Sequence, residues 1–341
     1  MANYVPSALA TAQAKLFAAF EASEMKFRTP VTHMEYVQNT DVMIPSYLQL
    51  RTREDRTVTA YFKNRTSRAL GSGRVHNHTG AKSDSTAFTP TWLTNSDVFN
   101  ISAKQADNNI YALNEMLAHE LENTLINMIE GMDTDAEAHL FANRTAVNAA
   151  TQQGAFDVVD DVFNITESTE GDRAFQITQT VLDTNGHSGG FTVFCDSIAF
   201  DKFEKQRFQG AGNSDNLSFQ FGKGKFVHSL GLGALAAALT VGRTKGFWIA
   251  VVDGTISSMP WIPQQNRQGV STKENEWGTV INPIDSISYA THSYVERSDQ
   301  SAAGGSAQDV NTEWEISLDV ALDNAPLTTA GETTLLAFAL I

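Results

Sequence analysis

One stretch of apolar residues repeats at helical spacing for longer than any other in the chain. The repeat consists of Ile110, Leu113, Leu117, Leu121, Leu125 and Met128. Spacings of three and four residues are typical of an amphipathic helix. Ser102 and Gln105 precede it in the pattern of a capping box, and Gly131 interrupts it. The spacing predicts a helix over about residues 103–130, roughly 40 Å long, and a second helix over 133–147.

Length and composition then limit the class of protein. At 341 residues, 42% hydrophobic and 18% charged, the chain can bury a core and is neither disordered nor collagen-like. Its longest apolar runs, 234–239 and 247–252, fall short of the ~20 residues of a membrane span. The first residues lack the basic region of a secretory signal. The single cysteine, Cys195, lies in an apolar run, which indicates a buried thiol in a reducing compartment.

The residues before the long repeat predict a helix followed by an extended excursion. Apolar spacing favours an amphipathic helix over 8–28, which Pro30 ends. Residues 31–100 are poorly periodic, but 57–63 and 86–93 resemble two strands of a long hairpin. Because an isolated hairpin is only marginally stable, we expect this one to need a partner surface.

Charge is distributed unevenly. The whole chain carries −15, which should repel nucleic acid over most of its surface. Residues 51–82 nevertheless carry eight basic and two acidic residues, a net +6, whereas 105–172 carry 14 acidic residues and one basic residue, a net −13. The basic residues are Arg51, Arg53, Arg56, Lys63, Arg65, Arg68, Arg74 and Lys82. We hypothesise that they contact the acidic surface of another copy of this chain.

Beyond Gly154 the pattern is mixed, and it predicts an α+β fold. Helices are expected over 175–182 and 197–208, and strands over 190–196, 226–228 and 246–253. Two prolines, Pro260 and Pro263, suggest a rigid loop around Trp261, and 298–309 suggests a flexible loop. Near the end, 314–322 alternates as a half-buried strand, and 333–341 indicates a strand buried on both faces.

Two motifs suggest enzymes. Gly186, Ser188 and Gly190 fit the nucleophile elbow of serine hydrolases, with Asp253 and His292 following in the right order. The elbow needs a strand before the serine and a helix after it, and here that order is reversed. We therefore interpret this motif as a glycine-rich loop that enters a strand.

The second motif is Gly231, Gly233 and Ala236, which resembles the dinucleotide fingerprint, with Asp253 22 residues after Gly231. The predicted helix is too short for that role, so a small packing helix is the simpler interpretation. NAD-linked oxidoreductase and serine hydrolase remain alternatives that rest on single motifs.

Metal sites are also weakly indicated. His119 and Glu120 begin the zinc motif H-E-x-x-H, but Asn123 replaces the second histidine, which excludes that site. The pair His76 and His78 lacks a third ligand. The carboxylates Asp157, Asp160 and Asp161 are interpreted as a solvated face. We therefore expect no catalytic residue, no cofactor and no metal.

The order of elements is informative as a whole: an N-terminal arm, a basic hairpin, a long helix, a central α/β unit and returning strands. This order resembles the HK97-type major capsid protein of tailed bacteriophages. Residues 99–102 resemble the entry to its spine helix, 140–145 its end, 191–208 the strand and helix of its central domain, and 254–260 a loop near the capsomer axis.

The resemblance implies a domain layout. Residues 1–45 would be the N-terminal arm, 46–100 the E-loop hairpin, 101–185 the first part of the P domain, 186–283 the A domain, and 284–341 the P-domain return. The chain has no N-terminal pro-region of about 100 residues, so a fused scaffolding domain is not expected. Lys63 and Lys82 lie in the hairpin, but no acceptor motif for a lysine crosslink is evident.

The resemblance also implies function and partners. The chain would be a structural, non-enzymatic shell subunit that forms hexamers and pentamers of itself, without a membrane. The shell would enclose DNA without sequence-specific binding, in a virion assembled in the host cytoplasm. A separate scaffolding protein, a portal and decoration proteins are possible partners. An encapsulin-like compartment shell, which encloses cargo protein, is the alternative.

Overall fold

The computed structural model describes residues 4–44, 52–56, 59–63, 70–74, 80, 82–102, 113–146, 156–209, 223–239, 245–272, 275–298, 309–326 and 333–341. The helices are α1 (Tyr4–Glu21), α2 (Val31–Met43), α3 (Leu113–Ala142), α4 (Glu167–Glu170), α5 (Ala174–Thr184), α6 (Ser197–Gln209), α7 (Leu232–Ala236) and α8 (Gln264–Gln268). The strands are β1 (Ala60–Lys63), β2 (Ser85–Phe88), β3 (Trp92–Ser102), β4 (Phe156–Val159), β5 (Val162–Ile165), β6 (Phe191–Cys195), β7 (Gly224–His228), β8 (Phe247–Val252), β9 (Ile256–Trp261), β10 (Asn275–Ile281), β11 (Ser288–Ser298), β12 (Asp309–Asn324) and β13 (Leu335–Leu340). The α+β prediction is confirmed.

The long helix α3 runs without interruption for 30 residues, about 45 Å. The predicted break at Gly131 is wrong. The apolar face continues past the glycine through Met132, Ala136 and Leu140, each at most 1% exposed. Burial of that face outweighs the roughly 1 kcal/mol that a glycine costs a helix interior. The residues predicted to begin the helix, 103–112, lie outside the described residues.

The N-terminal helices pack on α3. Helix α1 buries Ala12 and Leu16 in the core that contains the apolar face of α3, as the predicted amphipathic helix requires. It ends at Glu21, earlier than the predicted residue 28. The second helix, α2, was not predicted from the sequence, because its buried side is largely polar: Thr32, His33, Glu35 and Thr40 are all at most 6% exposed.

The first sheet has the order β10-β11-β12-β3, and β9 pairs with β12 beside β11. Along β12, Trp314, Ile316 and Leu318 are buried, so the predicted alternation is confirmed as far as Leu318. It is wrong for 319–322, which are all buried, because Ala321 on the other side of the strand packs in a second core with Met43, Ile44 and Met259. The rigid loop predicted around Trp261, and the loop predicted over 254–260, are wrong, because residues 256–261 form β9. Among the described residues β9 pairs only with β12, and a proline such as Pro260 is tolerated in an edge strand.

The second sheet has the order β4-β5-β13-β8-β6-β7. Every residue of β13 is buried, which confirms the prediction of a strand covered on both faces. On one face Phe175 of α5 and Phe203 of α6 pack against Trp248 and Phe338. On the other face Phe247, Ile249 and Val251 join the core that contains α3. The strand β6 and helix α6 lie where the sequence predicted them.

Two predictions stay open here. The loop predicted over 298–309 lies mostly outside the described residues, and the proposed domain boundaries remain predictions. Strands β9 and β10 lie within the predicted A domain, 186–283, but they belong to the first sheet, which also contains β12 of the predicted P-domain return. Within the described part of the chain, no helix has the length and apolar character of a membrane span.

Candidate interaction surfaces

The predicted hairpin is present as the antiparallel pair β1–β2, in which Tyr61 lies opposite Ala87 and Phe62 opposite Thr86. Its inner side packs through Phe62 and Phe88, whose rings meet edge to face at 5.8 Å. These rings rest on a small core of Met43, Ile44, Met259 and Ala321. The outer side is exposed, with Tyr61 71% accessible. The hairpin is therefore seated on the body by one side only.

Of the basic residues of this region that the structure describes, one side chain is paired within the chain and the others are exposed. Arg56 forms an ion pair of 3.0 Å with Asp319 of β12, within one chain. The carbonyl of Arg53 accepts hydrogen bonds from the Trp261 indole (3.3 Å) and the Arg267 guanidinium (2.6 Å). The exposed members are Arg53, Lys63, Arg74 and Lys82. Arg51, Arg65 and Arg68 lie outside the described residues.

The acidic residues of α3 are largely engaged within the chain. Glu115 pairs with Lys15 at 3.3 Å. Asp135 accepts a hydrogen bond of 3.0 Å from Asn95 of β3, and Glu130 accepts one of 3.0 Å from the Arg28 amide. This long helix therefore offers a second copy fewer free carboxylates than its net charge suggests.

The outward side of the first sheet carries a different set of groups. Paired positions across it run Trp277, His292, Glu315, Val98 in one row and Asn275, Tyr294, Glu313, Asn100 in the next. The rings stack, with centroids 5.0 Å apart for Trp277 and His292 and 6.1 Å for His292 and Tyr294. We name Trp277, His292, Tyr294, Val98, Glu313 and Glu315 the aromatic–glutamate face. Val98 is 69% and Tyr294 42% exposed.

A buried ionic junction lies where α3 meets the segment that joins the N-terminal helices. One guanidinium nitrogen of Arg28, Nη2, lies 3.0 Å from Asp133 Oδ2 and 2.7 Å from Glu137 Oε1. The two carboxylates are 2% and 1% exposed. Burial, with the neighbouring Glu137 charge, raises the pKa of Asp133 from 3.8 to about 6, although the His33 amide and Arg28 oppose the rise.

The junction continues through a histidine. The His33 ring is fully buried, and burial lowers its pKa from 6.5 to about 4. Its Nε2 lies 3.8 Å from Asp285 Oδ2, which accepts a hydrogen bond of 2.8 Å from the Tyr289 hydroxyl. Burial also raises the pKa of Asp285 to about 6. The sequence interpretation missed these residues, although Asp133 and Glu137 continue the buried stripe of α3 and could have signalled a polar contact there.

The hydrolase motif is not assembled. Helix α5 precedes Ser188 and strand β6 follows it, the reverse of a nucleophile elbow. Asp253 accepts a hydrogen bond of 3.0 Å from Thr192, and His292 lies in the other sheet with Asn275 at 3.1 Å. The structure therefore does not place these three groups in one triad.

A different serine and histidine do meet. Ser197 Oγ lies 3.0 Å from His228 Nε2 where β6 enters α6. The Ala199 amide, which could have stabilised an oxyanion, donates instead to Asp196 Oδ1 at 2.7 Å. Because the Ile198 and Ala199 amides both point at the Asp196 carboxylate, they do not serve the pair as the electrostatic part of a hydrolase site.

The glycine motif serves the buried junction. The Gly231 amide donates a hydrogen bond of 2.8 Å to Glu137 Oε1. A Cβ at this position would overlap the Glu137 carboxylate, which Arg28 and Ser229 hold in place, so a side chain here would displace that carboxylate. A carboxylate therefore occupies the position where a dinucleotide phosphate would bind, and helix α7 has only five residues.

The other candidate ligands have structural surroundings. His119 Nε2 lies 3.3 Å from the Asn123 amide nitrogen on the exposed side of α3. Asp160 and Asp161 have φ values of 56° and 59° and form the two-residue turn between β4 and β5, where Asp157 precedes them. His76 and His78 lie outside the described residues. Among the residues that the structure describes, no group of three or more His, Cys, Asp or Glu could hold a metal ion.

Comparisons with known proteins complete the description. No protein-family model and no curated protein matches the chain. The solved structures similar to it include the Cyanophage Pam1 capsid asymmetric unit, with a TM-score of 0.47 and 12% identity over 85% of this chain and 86% of that one. They also include a chain of Mycobacterium phage Che8, with a TM-score of 0.43 and 11% identity over 86% of this chain and 87% of that one. The asymmetric unit of the bacteriophage PhiM1 mature capsid gives 0.43 and 12%, over 84% of this chain and 83% of that one.

Proposed function

We propose that this chain is the subunit of a self-assembling icosahedral shell, an HK97-type major capsid protein that encloses phage DNA in a virion. One observation carries the proposal: a hairpin seated by one side only exposes basic residues, and the body of the same chain exposes an aromatic–glutamate face of opposite character. Two such different, complementary surfaces favour head-to-tail contacts, which close into rings.

The role is structural rather than enzymatic. The reversed order of elements around Ser188 and the hydrogen bonds made by Asp253 and Gly231 favour this view over a hydrolase or a dehydrogenase. A net charge of −15 suits a shell wall that must not bind its DNA tightly. Hexamers and pentamers of this chain, a separate scaffolding protein, a portal and decoration proteins, and assembly in the host cytoplasm belong to the same proposal.

The hairpin contact can be made specific. The exposed basic group of one copy, to which Lys63 and Arg74 belong, would lie on the aromatic–glutamate face of the next copy. The acidic residues of α3, the acceptor expected from charge alone, are mostly engaged within the chain. Arg56 on Asp319 already provides such a contact within one chain, because Asp319 projects from the same side of β12 as Glu313 and Glu315.

Electron microscopy and sedimentation of the purified, concentrated protein test the shell. Closed shells or capsomer rings are expected, with nucleic acid rather than cargo protein inside particles recovered from infected cells. A protein that sediments as a monomer at every concentration, alone and with a co-expressed scaffolding protein, would refute the function.

Charge reversal tests the contact. Glu313→Lys with Glu315→Lys should block closure of shells at low salt, although each exposed pair is worth only about 0–1 kcal/mol, because the contact repeats in every subunit. Adding Lys63→Glu with Arg74→Glu should restore closure. Asp201→Lys with Glu204→Lys on α6 is the matched control and should assemble normally. Normal assembly of the first variant would exclude this acceptor while leaving the shell intact.

A further inference from the structure

The end of the segment between α1 and α2, together with the first turn of α2, is bound to α3 through its backbone amides. The Arg28 amide donates to Glu130 Oε1 at 3.0 Å, and the His33 amide donates to Asp133 Oδ1 at 3.0 Å. We name residues 28–33 the arm strap. Because the strap links both N-terminal helices, its position on α3 determines where those helices lie.

The charge balance under the strap depends on Arg28. Asp133 and Glu137 are one helical turn apart, nearly completely buried, and share one nitrogen of this guanidinium. Buried carboxylates are stable only when paired or hydrogen-bonded. The Arg28 side chain itself is 27% exposed, so the cation sits at the rim and can leave more easily than the two acids.

The same carboxylate also holds the central part of the chain. Glu137 Oε1 accepts hydrogen bonds from Ser229 Oγ at 2.7 Å and from the Gly231 amide at 2.8 Å, in addition to Arg28. Ser229 contacts the strap as well, through Thr32 Oγ1 at 2.9 Å. The residues 229–231 connect β7 of the second sheet to helix α7.

We propose that Arg28, Asp133 and Glu137 form a latch, through which the position of the N-terminal helices controls the loop 229–231 and helix α7. When the strap lifts from α3, Arg28 leaves and two buried carboxylates face each other. Glu137 then turns away from Asp133, toward water. This rotation weakens its hydrogen bond to Gly231, so movement of the arm loosens one end of the second sheet.

Hydrogen exchange on the unassembled, full-length subunit tests the latch, and it does not depend on whether shells form. In Arg28→Gln, amides of residues 229–236 should exchange about 10- to 100-fold faster, the effect of losing a hydrogen bond to a charged group. Amides of α5 should be unchanged. Adding Glu137→Gln, which removes one unpaired charge but keeps a carbonyl acceptor for Gly231, should recover about half of the change on a logarithmic scale.

Two comparisons make the result decisive. Arg207→Gln removes an arginine whose pair with Glu204 is exposed, and it should leave exchange in 229–236 unaltered. If Arg28→Gln unfolds the subunit, Arg28→Lys keeps the charge with fewer donors and should still accelerate exchange in 229–236 selectively. Unchanged exchange there in a folded Arg28 variant, or acceleration that Glu137→Gln does not reduce, would overturn the latch.

Discussion

Asp323 is a buried acid whose pKa the fold raises well above its usual value. It is 6% exposed on β12, opposite Ser257 of β9. Burial raises its pKa from 3.8 to about 7, although a hydrogen bond from the Thr91 amide opposes the rise. The Oδ2 atom of Asp323 and the hydroxyl of Ser257 have no hydrogen-bond partner among the described residues.

We therefore predict that Asp323→Asn stabilises the protein at high pH. Changing a pKa by one corresponds to about 1.4 kcal/mol, so a rise from 3.8 to about 7 corresponds to at most about 4 kcal/mol. The unfolded chain loses this proton above pH 3.8, whereas the folded chain keeps it until about pH 7. The wild-type protein thus loses stability as pH rises between these values, and the loss is complete above pH 7. Asparagine, which cannot ionise, avoids it.

Thermal unfolding of the dilute subunit between pH 4 and pH 8 measures this effect. A gain of about 2–4 kcal/mol at pH 8 corresponds to roughly 3–6 °C for a chain of this length, and the gain should vanish near pH 4. Asp201→Asn on the exposed side of α6 is the matched control and should show no pH-dependent difference. A gain that is equal at pH 4 and pH 8, or no gain at pH 8, would refute the reasoning.

Three further outcomes are expected. Gly131→Ala should stabilise α3 by about 0.5–1 kcal/mol in chemical unfolding, since no atom lies within 4 Å of the added Cβ; a loss of stability would contradict this. Gly231→Ala should cost about 1–3 kcal/mol in the same assay, because its Cβ would push the Glu137 carboxylate out of its hydrogen bonds to Arg28 and Ser229. Gly233→Ala, with its nearest contact at 3.7 Å, should be tolerated. Mass spectrometry should find no fluorophosphonate on Ser188, and stoichiometric labelling would revive the hydrolase interpretation.

Local patterns predicted those elements whose burial follows a simple period. The alternation along β12 and the continuous apolar run of β13 identified both strands. A strand with one buried face alternates apolar and polar residues, whereas a strand buried on both faces is apolar throughout. Apolar spacing located α6. Gly131 misled the prediction, because the packing of residues on both sides of it overrides its weak helix propensity.

The polar contacts could not be predicted in the same way. Arg28 and Glu137 are 109 residues apart in sequence, so no local spacing announces their contact. Helix α2 escaped notice because it buries His33 and Glu35 where an amphipathic pattern requires apolar residues. The aromatic–glutamate face combines four strands, and its residues become neighbours only through their register.

The pairing of β12 also determines when the two sheets can form during synthesis of the chain. Strand β3 lies against β12, which follows it by more than 200 residues, and β13 occupies an interior place in the second sheet. Neither sheet can therefore close until residues 309–340 have left the ribosome. Contacts so distant in sequence are expected to form slowly. A nascent chain that still lacks these strands would hold its two cores open, so synthesis of β12 precedes display of the aromatic–glutamate face to a neighbour.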